Sequence, residues 1–153
     1  MNERVIQMAV SAEEVATLRT YLSGNMDEYR RMQAQLDPAT ARSGYSALIA
    51  AAFFEAVDRR FTEPGITTDD IIKYVADVRA RSATVSDALD PQAAERVIHH
   101  ALGDGSIRDL DDETVIGAQI VILSALIADE QLDDAGLDQF MAEARKLADQ
   151  WTS

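Results

Sequence analysis

The chain has 153 residues, 47% of them hydrophobic and 27% charged, which is the length and balance of one soluble globule with a real core. It contains no cysteine, so disulfides, thiolate catalysis and Cys-held zinc or iron–sulfur sites are excluded. Its formal charge of −13 argues against nucleic acid and anionic membrane as partners, because both need clustered Lys and Arg.

The opening stretch MNERVIQMAVSAEE holds an apolar run of six residues that includes Gln7. This falls short of a signal-peptide core and predicts a cytoplasmic protein. Residues 1–10 are read as an arm or short strand, which would exchange between subunits if the chain forms a homo-oligomer. Residues 11–153 are read as a single helical domain.

Ser11 with Glu14 forms a capping box and opens a helix to about Leu22. Ser23-Gly24-Asn25 breaks it. A second helix to Leu36 carries Met26, Tyr29, Met32 and Leu36 on one face. Asp37-Pro38 is a cap followed by proline at the first helical position, predicting a long helix to about Arg60, loosened at Ser43-Gly44. Its centre, ALIAAAFFEAV, is apolar nearly all round, as for a helix covered on most sides.

After the loop FTEPGITT, Thr68 caps a helix to about Arg81 with Ile71, Tyr74, Val75 and Val78 as its stripe. SATVSDAL fits either helix or loop. Asp90-Pro91 repeats the cap-and-proline device for a helix stopped by Gly103. DGSIRDL is a loop. Asp111 or Asp112 begins a greasy helix to about Asp129, and its 14-residue apolar core from Val115 to Ala128 is too short for a membrane span. Asp134 caps the last helix, whose stripe is Leu137, Phe140, Met141, Ala144, Leu147 and Trp151. The predicted fold is all-α: a compact single-domain bundle of about six to seven helices. Segments 66–79 and 132–145 align without gaps at an offset of 66, which raises a reading of two related helical hairpins.

Charge is uneven along the chain. Residues 104–138 carry ten acids against one base, Arg108. Helix capping accounts for Asp111, Asp112, Glu113, Asp133 and Asp134. Asp129 and Glu130 lie at a helix C-terminus, where negative charge is unfavourable, and have no local explanation. No calcium loop fits: counted from Asp129, the sixth position is Asp134 and the twelfth Phe140, where glycine and glutamate are needed. His99 and His100 are the only histidines, and neither forms a Glu-x-x-His pair. No phosphate-binding glycine loop or nucleophile motif is present.

The leading expectation is a non-enzymatic interaction module of adaptor, regulator or toxin-neutralising type, with no cofactor, no metal and no catalytic residue. Asp109, Asp111, Asp112, Asp129, Glu130, Asp133 and Asp134 would form one acidic surface that docks a basic protein partner. The alternative is a small-ligand binder or enzyme with a pocket between the two apolar helices, using Glu55, His99, His100 and Tyr45.

Overall fold

A computed structural model describes residues 10–36, 44–61 and 65–152. These residues form eight α-helices and no strand: α1 (Ala12–Leu22), α2 (Met26–Gln35), α3 (Ser46–Phe61), α4 (Thr68–Arg79), α5 (Ala83–Ala88), α6 (Pro91–Ala101), α7 (Asp112–Glu130) and α8 (Asp134–Thr152). The all-helical class is as expected, and the count exceeds the expected six to seven. The additional helix is α5, in the ambiguous SATVSDAL stretch. Ser82 caps it by accepting from the Val85 amide at 3.0 Å, and buried Leu89 anchors its exit. The expected arm over residues 1–10, Val10 apart, and the Asp37-Pro38 cap lie outside the described residues.

No described helix is long and apolar enough to cross a membrane. The chain divides into two compact units, one of residues 1–52 with 131–153 and one of residues 53–130, and α3 runs from the first into the second.

In the first unit, α1 opens with the capping box as read: the Glu14 amide donates to Ser11 Oγ, and the Ser11 amide donates to Glu14 Oε1 at 2.9 Å. Glu14 is almost wholly buried, and Gly44 makes room for it. A Cβ at Gly44 would fall 2.6 Å from Glu14 Oε1. Val10 is pinned to α8 from both sides, its amide donating to Asp149 and its carbonyl accepting from Arg145. The α2 stripe is only partly covered: no residue of that helix is buried. In α8, burial runs through Leu137, Phe140, Met141 and Ala144 to Ala148, while Trp151 is exposed rather than buried.

The second unit is built on α7, which is buried at Ala118, Ile122, Leu123 and Leu126, as its unbroken apolar run predicts. The α4 stripe Ile71, Tyr74, Val75 and Val78 is buried as read. Thr67, one residue before the expected Thr68, is the cap. Likewise Asp133, not Asp134, caps α8 through the Gly136 amide at 2.7 Å. These two caps stand at the same offset of 66 as the aligned segments. Arg79 and Arg145, also aligned, both donate to backbone carbonyls, of Leu89 and of Val10 respectively.

Candidate functional site

Of the seven acids read as one surface, five belong to the unit of residues 53–130, and Asp133 and Asp134 belong to the other. Within the former, Asp111 and Asp112 stand at the start of α7, and Asp129 and Glu130 at its end. A 19-residue helix separates its ends by about 27 Å at 1.5 Å per residue. One partner side chain cannot address both groups.

Six of the seven also have a role within the chain. Asp111 caps α7 by accepting from the Thr114 amide at 2.7 Å, and those Thr114 hydrogen bonds hold its carboxyl below the usual range. Asp129 accepts from the Tyr74 hydroxyl at 2.9 Å and from Arg81 at 3.0 Å. Glu130 pairs with Arg59 at 2.7 Å. Asp134, fully exposed, lies 3.6 Å from Arg19. The two acids without a sequence-local explanation are thus neutralised by bases from distant positions. The favourable pairing offsets their poor placement at a helix C-terminus.

Asp109 is gripped by the fork of Arg96 and has its pKa drawn down to about 2, chiefly by that hydrogen bond. The same guanidinium donates to the Ser106 carbonyl at 2.7 Å. Arg96 sits midway along α6, so the loop after α6 is drawn back alongside its own helix. It delivers the start of α7 beside the start of α6.

A groove of about 310 Å³ results, lined by Ala88, Leu89, Asp90 and Ala93 on one side and Asp111, Glu113, Thr114, Gly117 and Ala118 on the other. Its floor is apolar, with Leu89, Ala93 and Ala118 all buried. Its rim is three carboxylates, and no base lines it. Two of the three are fixed by capping, Asp90 to the Ala93 amide at 2.8 Å and Asp111 to Thr114. Three full negative charges outweigh the partial positive charges of two helix N-termini. Gly117 deepens the groove, because a Cβ there would meet nothing within 4 Å. Asp90, Glu113 and Gly117 were not singled out as site residues from sequence. The two caps that border the groove were legible, but their meeting was not.

Two residues of the alternative reading, His99 and His100, bind the loop after α6. His99 Nδ1 lies 3.5 Å from Asp104, and His100 Nδ1 lies 3.3 Å from the Gly105 carbonyl, so both fasten the loop after α6. Neither histidine, nor Glu55, nor Tyr45 lines the groove or the two further clefts, one between α1 and α2 and one beside α4. Among the described residues, no group of three His, Asp or Glu is placed to hold a metal ion.

The cleft beside α4, about 580 Å³, balances Arg60, Lys73 and Arg81 against Asp70, Asp77 and Asp129. Arg60 stacks 5.2 Å from the ring centres of both Phe61 and Tyr74. Arg81 bridges Asp77 and Asp129. This cleft therefore carries both signs, whereas the acids that line the α6/α7 groove meet no base there. No family model matches the chain, and no curated protein or solved structure does.

Proposed function

We propose that this protein is a non-enzymatic interaction module that receives a basic segment of a partner protein in the groove between α6 and α7. The observation that carries this reading is the combination of an apolar floor, a three-carboxylate rim and the absence of any lining base. A Lys or Arg side chain suits such a surface, since its aliphatic stem covers apolar atoms while its head reaches carboxylates. The surrounding unit carries 16 acids against 7 bases, a field that speeds encounter with a cationic partner. Asp90, Asp111 and Glu113 would bind the cationic heads. Arg96 and Asp109 would hold the groove's shape without touching the partner.

The test is titration of the ¹⁵N-labelled protein with an arginine-rich helical peptide. Shift changes should concentrate at Ala93, Thr114, Gly117 and Ala118. Gly117→Leu fills the groove and leaves the net charge unchanged, so it should remove those changes. Equal binding by the variant, or shifts spread evenly over all acids, would mean a general charge effect and would end the groove reading.

A further inference from the structure

The exposed face of α4 carries a second feature, independent of the groove. Ile72, Ala76 and Ala80 are exposed and follow one another at intervals of four, so they form a narrow apolar strip along the helix. Ile72 is 41% exposed. Along one flank of that strip the charges alternate in sign: Asp70, Lys73, Asp77, Arg81.

This order is complementary to its own reverse. Laid against itself in reverse, it matches opposite charge with opposite charge at every position. In an antiparallel two-fold pair, residues on the same flank face each other across the axis. Lys73 then stands opposite Asp77 of the second copy, and Asp70 opposite Arg81. By symmetry this makes four rungs. In a parallel pair this flank would face the other flank of the partner helix, and the self-complementary order would go unused. Alanine at 76 lets the two helices approach closely near the axis, and Ile72 of each copy packs on the small Ala80 of the other.

The geometry points to a homodimer formed by antiparallel packing of α4 on α4 of a second copy. Several local facts agree with an open, adaptable surface. Lys73 makes no ion pair among the described residues, although it lies one turn from Asp70 and Asp77. Arg81 bridges Asp77 and Asp129 of its own copy from a position about one-third exposed, so a facing Asp70 adds to those pairs without replacing them. The exposed face as a whole, with Asp69 included, is close to neutral. It can therefore self-associate where the rest of this acidic chain repels. A helix of 12 residues spans about 18 Å, so the contact falls below the roughly 1,200 Å² of a standard interface. The dimer should accordingly be weak and concentration-dependent.

The experiment is sedimentation velocity of the full chain over a range of concentrations, with the far-UV spectrum recorded for each variant. The wild type should move from monomer towards twice its mass as concentration rises. Lys73→Asp alone sets acid against acid across the axis, and Asp77→Lys alone sets base against base. Each should remain monomeric. Mixed in equal amounts, these two variants should form a heterodimer, because all facing pairs become attractive again. Ala76→Arg, at the axis itself, should also give a folded monomer, and it serves if either charge variant loses helix. A wild type that stays monomeric at its solubility limit overturns the proposal. So do single charge variants that dimerise like the wild type, or a mixture that stays monomeric.

Discussion

The Tyr74 hydroxyl donates to Asp129 Oδ2 at 2.9 Å, tying the middle of α4 to the last turn of α7. Arg81 donates to the same oxygen from the turn after α4. Together they explain why an acid is retained at a helix end whose dipole disfavours it. Burial raises the Tyr74 phenol's pKa, which keeps it a donor.

Asp129→Asn should therefore destabilise the protein by about 1–2 kcal/mol, discounted because the carboxylate is partly solvated. For a chain of this size that is a fall in Tm of roughly 2–8 °C. The loss should depend on pH. Desolvation opposes ionisation of Asp129, but the hydrogen bonds from Arg81 and Tyr74 outweigh it and hold its pKa below the ordinary value. A carboxylate with a lowered folded pKa stabilises fully above its unfolded pKa of about 3.9 and loses that contribution as pH falls through the folded value. Thermal melts from neutral pH to below pH 4 should show a shallower acid decline in the variant. Parallel curves for the two proteins would refute the assignment.

Gly117→Ala should raise stability by roughly 0.5–1 kcal/mol, because a glycine inside a helix costs that much relative to alanine. The new methyl group meets no atom within 4 Å. An increase in Tm of about 1–4 °C is expected. A decrease would mean that the site is more crowded than the structure has it.

Two neighbouring positions in the first unit should respond in opposite directions. Among the described residues the buried Tyr45 hydroxyl makes no hydrogen bond of good geometry, although the Tyr29 phenol stands near enough to help raise its pKa. Removing it as Tyr45→Phe relieves an unsatisfied polar group and should leave stability unchanged or raise it by about 1 kcal/mol. Gly44→Ala instead forces the Glu14 carboxylate out of its place in the capping box. It should cost about 1–3 kcal/mol by the usual penalty for overpacking. In a Glu14→Ala background the penalty should shrink, and equal penalties in both backgrounds would show that the two residues are not coupled.

Arg79 holds α5 to the rest of its unit by donating to the Leu89 and Ser86 carbonyls at 2.9 and 3.1 Å. A six-residue helix with no buried residue is too short to stand on its own propensity. Arg79→Met should speed hydrogen exchange at the Ser86 and Leu89 amides by roughly tenfold or more, from the loss of hydrogen bonds to a charged group. Arg79→Lys should only partly restore protection, since an ammonium lacks the planar fork. Unchanged exchange at both amides would contradict this role.

Much of the architecture is legible in the residue pattern. The capping box at Ser11 and Glu14, the Asp90-Pro91 start and the α4 stripe stand where the residue pattern places them, because caps and helical faces are set by neighbours three or four residues away. Two caps fall one residue before the expected position, at Thr67 and Asp133, where adjacent residues of similar capping power compete. The grouping of the acids was not legible. A run of like charges in sequence says nothing of the distance that a rigid helix puts between its members, and α7 separates them.

The order of residues by itself determined that this chain is helical, where most helices begin and which faces turn inward, since backbone hydrogen bonds and caps close within one turn. Tertiary structure alone decided that Arg81 and Arg59 neutralise Asp129 and Glu130, and that Arg96 folds the loop back to bring Asp90 beside Asp111 and Glu113. Those relationships join residues from 13 to 71 positions apart. They arise from the packing of whole helices, and no local pattern encodes it.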